Sequence, residues 1–243
     1  MKKLILALVV VLGVIFIGGC NSKNNEKNIL VVGTNPEFAP FEYMEGNEIK
    51  GFDIDLVNEI AKKLGKTVEI KSMSFDGLLP ALQTDKIDMV IAGMTATEER
   101  KKHVNFTQNY YVSQQALIVK NPDIKGIEEL VGGQIGVVLG YTGDVLISSK
   151  PEYKVERYNS SSAAIIALQG EKVDAVILDE EPARQYAKQN KGLYVLAIDG
   201  GKEEYAIAIN KKNTKLLDEV EKALAELKQD GTYEKLYNKY FGN

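Results

Sequence analysis

The chain has 243 residues, of which 26% are charged, with a formal net charge of −4 and a pI near 5.3. An acidic balance excludes the basic face that a nucleic-acid partner requires. A single cysteine excludes an intramolecular disulfide, so the core alone must hold the fold.

Met1-Lys2-Lys3 is a short positive start, and Leu4 to Ile17 is an unbroken run of apolar residues plus glycine, too short for a comfortable membrane span. It ends in Ile17-Gly18-Gly19-Cys20. Small residues directly before the only Cys resemble the lipobox of a bacterial lipoprotein signal. That resemblance implies cleavage before Cys20, lipidation of Cys20, and anchoring at the extracytoplasmic face of a cell membrane of the Gram-positive kind. Residues 1–20 are then a signal peptide and residues 21–28 a polar tether. Loss of the signal removes two Lys and no acid, which takes the formal charge to −6. No later stretch is apolar enough to cross a bilayer.

Ile29 to Gly33 is apolar and β-branched and reads as the first core strand. Thr34 to Tyr43 holds two prolines and three aromatics, which suit a rigid loop that leaves rings exposed at a strand end. Core packing is the competing reading for Phe38 and Phe41. Gly51 to Asp55 starts a helix that Asp53 or Asp55 can cap, and both acids read as structural. Val57, Ile60, Ala61 and Leu64 recur at helical spacing and Gly65 ends the run. Thr67 to Lys71 is a strand, Ser74-Phe75-Asp76-Gly77 turns into a helix holding Leu78, Leu79, Ala81 and Leu82, and Ile87 to Ala92 is a buried strand. This alternation is that of an α/β sheet layer.

Gly93-Met94-Thr95-Ala96-Thr97-Glu98-Glu99-Arg100 follows that strand and leads into a charged helix start. Backbone N–H groups, hydroxyls and a guanidinium there can converge on one carboxylate. A second series begins with strand Ala116–Val119, then a short helix at Gly126–Leu130, strand Ile135–Val138 and the Gly-rich loop Leu139–Asp144. One of Ser160 to Ser162 caps a helix through Leu168, and the buried strand Val173–Leu178 stops at Asp179. Tyr205–Ile209 is a further strand, and helices Thr214–Gln229 and Thr232–Phe241 close the chain. Lys86–Gly93 and Glu171–Asp179 share one pattern: a charge, a β-branched residue, an Asp, and an apolar strand that ends in a polar loop. Two similarly built lobes would present such strand ends to each other, where ligands of open α/β sheets sit.

The unusual residues collect at those ends: Phe38, Phe75, Gly93, Thr95, Arg100, Gly140-Tyr141-Thr142 and Asp179. Arg with helix-terminal N–H groups suits a carboxylate, and Asp suits an ammonium. Both together suit a zwitterion, with rings for the aliphatic part of a side chain or for a cation. Taken singly, Arg100 reads as a solvated helix residue and Asp179 as an N-cap. Their order along the chain is the stronger signal.

That order resembles the bacterial family 3 extracellular solute-binding proteins, the substrate-binding components of polar amino acid ABC transporters. The carrying motifs are Gly33–Tyr43, Gly51–Leu56, Phe75–Leu82, Gly93–Arg100, Asp230–Tyr233 and Tyr240–Gly242, within residues 29–241. The resemblance implies an α/β, two-lobed periplasmic-binding-protein-like (type II) fold, with a ligand cleft between lobes joined by two hinge strands. Lobe 1 is expected at 29–111 plus 206–243, lobe 2 at 116–202, and hinges at 112–115 and 203–205. Arg100 matches the residue that pairs with the ligand α-carboxylate, and Thr142 its partner from lobe 2. Thr95 and Gly93 match the groups lining the α-substituents, and Asp179 the acid that receives the α-ammonium. Phe38 and Phe75 match the rings that flank the ligand side chain.

Two positions depart from the pattern. Asn35 stands where binders of dibasic or amide side chains often carry an acid, and Tyr141 stands in place of a small hydroxyl residue. The side-chain class therefore stays open among glutamine, arginine, lysine and other polar amino acids. The implied partners are an amino acid, an ABC permease and, through the lipid alone, a membrane. The protein is expected to act as a monomer without cofactor or metal. An enzyme is the rival reading, because a few proteins of this fold resemble dehydratases of arogenate-like substrates. The only histidine, His103, lies in a charged helix without a nucleophile to pair with, and no acid is marked as tuned. A ligand sensor on the same fold would use the same site.

Overall fold

The computed structural model describes residues 28–242. The expected signal peptide, Cys20 and the tether up to residue 27 lie outside the described residues.

In chain order the first part comprises β1 (Ile29–Thr34), β2 (Glu37–Phe38), β3 (Glu42–Glu45), β4 (Glu48–Lys50), α1 (Phe52–Lys63), β5 (Thr67–Ser72), α2 (Phe75–Gln83), β6 (Met89–Val90), α3 (Glu98–Lys101) and β7 (Val104–Phe106). Then follow β8 (Tyr111–Val119), a 3-10 turn (Ile127–Leu130), β9 (Gln134–Val138), α4 (Thr142–Ser148), β10 (Lys154–Tyr158), α5 (Ser161–Gln169), β11 (Ala175–Asp179), α6 (Glu180–Gln189) and β12 (Tyr194–Tyr205). The chain ends with β13 (Ala208–Asn210), α7 (Thr214–Gln229) and α8 (Thr232–Phe241).

One five-stranded sheet has the order β5-β1-β6-β13-β7 and the other β10-β9-β11-β8-β12. In the first, β5, β1 and β6 run parallel and β13 is antiparallel to both β6 and β7. In the second, β10, β9 and β11 are parallel, with β8 antiparallel to β11 and β12 antiparallel to β8. Helices cover these sheets, so the inner strands are apolar without alternation; every residue of β11 is buried. Leu56, Val57 and Ile60 of α1 pack with Leu30, Val32, Leu78 and Val220 in one core, and Leu117, Ile135, Val137 and Ile177 make a second. Each such side chain, fully buried, stabilises the fold by about 1.5–3 kcal/mol.

The segment after β1 is not a loop with exposed rings. It forms the small sheet β2-β3-β4, in which Phe38 and Phe41 are buried. Phe41 lies 4.8 Å from Tyr111 and 5.2 Å from both Tyr205 and Phe241, so aromatic packing prevails over ring display. Neither Asp53 nor Asp55 caps α1: its N-cap position, Gly51, has no side-chain hydrogen bond. The stretch 87–92 is buried apart from half-buried Asp88, yet pairs as a strand over two residues only. The Asp88 carboxylate takes the Val31 N–H at 2.8 Å, and the backbone leaves the ladder at Gly93, where φ is +50°.

β8 and β12 are the longest strands and pair antiparallel. Their register runs from Tyr194↔Val119 to Tyr205↔Tyr111, with an irregularity between Ala197 and Lys202. A bridge from Thr95 to Tyr205 ties the end of this ladder to the first sheet.

Candidate ligand-binding cleft

The cleft is built first from the exit of β6. The Gly93 N–H donates to Asp53 Oδ2 at 2.9 Å, and the Tyr110 hydroxyl donates to the same oxygen at 2.7 Å. A Cβ at Gly93 would stand 2.4 Å from Phe38 Cε1, so only glycine lets the ring lie against this backbone. Beneath the ring, Asp53 is buried beside Glu42, whose own carboxylate oxygens have no other partner. Burial pushes Asp53 up to about 6 against the pull of its donors, and pushes Glu42 well above the usual carboxylate range with help from the Asp53 charge. Burial of the pair thus favours the protonated form of Glu42 beside Asp53. This is acid tuning that no pattern in the sequence marked.

Arg100 sits in the four-residue helix α3, whose N-cap Thr97 accepts the Arg100 N–H at 3.2 Å. Its guanidinium is half-buried and makes contacts within the protein. Nη1 donates to the Thr95 carbonyl at 2.8 Å, Nη2 donates to the Gly140 carbonyl at 2.9 Å, and Cζ lies 5.1 Å from the Phe75 ring centroid. Burial lowers the guanidinium pKa, and the charges of Glu203 and Asp179 oppose that shift.

Asp179 ends β11 at the N-cap position of α6, yet its side chain makes no capping bond. It accepts instead from the Tyr205 hydroxyl and from Gln115 Nε2 at 2.6 Å. Gln115 Nε2 also reaches Glu203 Oε1 at 3.0 Å and Thr142 Oγ1 at 3.1 Å, and the Thr95 hydroxyl donates to Glu203 Oε2. Burial, and after it the Glu203 charge, pushes Asp179 up to about 8. Gln115 Oε1 is buried without a partner.

At the far end, Asn35 Nδ2 donates to the Met73 carbonyl at 3.1 Å and its Oδ1 accepts from the Tyr141 hydroxyl at 3.0 Å. The Tyr141 ring lies 4.6 Å from Phe75 and 5.7 Å from Phe38, edge-on to both. Contacts thus link all eight expected positions: Asn35, Phe38, Phe75, Gly93, Thr95, Arg100, Thr142 and Asp179. His103 is exposed, with Glu99 as its neighbour at 3.6 Å. A groove lined by Glu37, Tyr43, Ser162 and Tyr186 lies beside this network and contains none of the eight.

Three members of the network were missed from sequence: Gln115, Glu203 and Tyr205. Gln115 and Glu203 are polar residues in strand segments with no apolar pattern, and Tyr205 reads as the start of a core strand. Burial of the first two, at 1% and 4% exposure, is the sign of function, and it exists only once β8 and β12 pair.

The arrangement offers a half-buried cation at one point and two buried acids at another, with aromatic faces beside them. The family model for bacterial extracellular solute-binding proteins, family 3, matches residues 30–243. The arginine-binding extracellular protein ArtP of Bacillus subtilis (strain 168) is 36% identical, over 99% of this chain and 98% of its own. A probable histidine-binding protein of Campylobacter jejuni is 35% identical, over 99% of both chains. An ancestral arginine-binding protein, solved bound to glutamine and bound to arginine, superposes with a TM-score of 0.85 at 46% identity, covering 89% of this chain and 99% of its own. Sequence match over nearly the whole described chain and the same two-lobed architecture lead to one conclusion: the chain belongs to the bacterial extracellular solute-binding proteins, family 3.

Proposed function

We propose that this protein binds a polar L-amino acid between its two lobes, at the extracytoplasmic face of the membrane, and delivers it to an ABC permease. The observation that carries the reading is a half-buried cation, Arg100, in one network with two buried carboxyl groups, Asp179 and Glu203. A zwitterion satisfies both, its carboxylate on Arg100 and Thr142, its ammonium on Asp179. Thr95 and the Gly93 backbone line the α-substituents, and Phe38 and Phe75 flank the side chain. Relatives named for arginine, histidine and glutamine binding support the class of ligand.

Lobe 1 comprises 29–111 plus 206–243 and lobe 2 comprises 116–202, hinged on the ladder between them. Arg100, Thr95 and the rings then hold the ligand from lobe 1, and Thr142 and Asp179 reach it as the lobes approach. Contacts that differ between open and closed arrangements are what shift the population towards closure. The closed monomer is the form a permease reads, and a lipid on Cys20 keeps it near the membrane. No step in this cycle calls for a catalytic group, a cofactor or a metal.

A thermal-shift screen against the twenty amino acids tests the reading, since a ligand that binds only the folded state raises apparent stability by mass action. One or more polar amino acids should raise the melting temperature, and Arg100→Ala should abolish the rise while leaving the fold intact. Near-normal affinity of Arg100→Ala in calorimetry would overturn the assignment.

A further inference from the structure

Tyr141 comes from lobe 2, whereas Asn35, Phe38 and Phe75 come from lobe 1. It follows Gly140, whose φ is +82°, and it stands at the N-cap position of α4. Its ring sits edge-on to both Phe75 and Phe38, its hydroxyl donates to Asn35 Oδ1, and it is only 6% exposed. An aromatic body between two rings with a hydrogen-bond donor at its tip is the chemistry of an amino acid side chain. Here the protein itself supplies it.

We propose that Tyr141 is an internal occupant of the side-chain compartment, displaced when a ligand side chain enters between Phe38 and Phe75, and that the compartment selects side chains ending in a hydrogen-bond donor. The proposal rests on the amino-acid reading above. The donor requirement comes from Asn35. One N–H of its amide goes to the Met73 carbonyl, and its carbonyl oxygen is the atom that meets the Tyr141 hydroxyl in the compartment. An incoming amide, guanidinium or imidazole N–H can replace the Tyr141 hydroxyl on that oxygen. A carboxylate brings no donor and meets an acceptor. Displacement also breaks two edge-on ring contacts, so affinity for long side chains is lower than the compartment alone would allow.

Calorimetry with arginine, glutamine and glutamate on the wild type, Tyr141→Thr and Tyr141→Phe tests this. Tyr141→Thr should bind arginine or glutamine about tenfold or more tightly than the wild type. Tyr141→Phe should show a smaller gain, and glutamate should bind weakest throughout. In protein labelled with 3-fluorotyrosine, the resonance that Tyr141→Phe removes should shift at saturation with the tightest ligand. Equal or weaker binding by Tyr141→Thr, an unmoved resonance, or glutamate binding as well as glutamine would overturn the proposal while leaving amino acid binding in place. If neither the wild type nor either variant binds any of the twenty amino acids, the broader reading falls with it.

Discussion

The protonation of Asp179 sets how ligand affinity depends on pH. Its carboxyl is raised from 3.8 to about 8 by burial and by Glu203, so at neutral pH the cleft holds a proton on the group that would receive the ammonium. A raised carboxyl contributes stability that is fully present below pH 4 and is lost as pH rises through 8. Ligand binding works in the opposite direction, because an ammonium favours the ionised carboxylate and must expel that proton. One pK unit corresponds to about 1.4 kcal/mol, or tenfold in affinity. Well below pH 8 the affinity should therefore fall about tenfold per unit, and be about 50-fold weaker at pH 6 than at pH 8. Titrations in two buffers of different ionisation enthalpy should show close to one proton released per ligand at pH 6 and close to none above pH 9. Asp179→Asn should bind more weakly at pH 8 and lose the slope. An affinity that stays flat from pH 6 to 8, with no proton release, would refute the link between burial of Asp179 and its role.

Gly93→Ala should cost about 1–3 kcal/mol and weaken ligand binding, because an alanine at φ +50° is strained and its Cβ meets the Phe38 ring; urea melts and calorimetry measure the two effects. Tyr110→Phe removes a donor from buried Asp53 and should cost about 1–3 kcal/mol. The loss should be larger at pH 8 than at pH 5, since Asp53, pushed up to about 6, needs that donor most when ionised; chemical denaturation at both pH values checks the sign. Ile60→Ala empties part of the α1 core and should cost about 2–5 kcal/mol with ligand affinity unchanged, as read by the same melts.

Elements with strong periodicity were legible before folding. Thr214–Gln229 and Thr232–Phe241 match α7 and α8 residue for residue, because capping groups, apolar spacing and a glycine break all agree there. β10 was not legible: Lys154-Val155-Glu156-Arg157-Tyr158 is a polar edge strand held by its partner β9 and not by its own pattern. The first half of β12 was passed over although Tyr194-Val195-Leu196-Ala197-Ile198 is an apolar run. In the cleft, Arg100 and Asp179 could be named from the order of motifs, while Glu203 and Gln115 could not. Their importance comes from being buried against Asp179 and Thr95 by a pairing of strands some ninety residues apart, which no local pattern encodes.

The position of β13 has a consequence for the order in which the chain can assemble. This short strand is an inner member of the first sheet, between β6 and β7, although more than a hundred residues separate it from either neighbour's start. β7 pairs with nothing in that sheet except β13. The second sheet, by contrast, draws all its strands from the continuous stretch 111–205. A chain emerging from its N-terminus can therefore complete the second sheet while the first still lacks a central strand, and the first waits for the last forty residues. Such late, non-local pairing is slow to form. It delays the assembled binding site until nearly the whole polypeptide has been made.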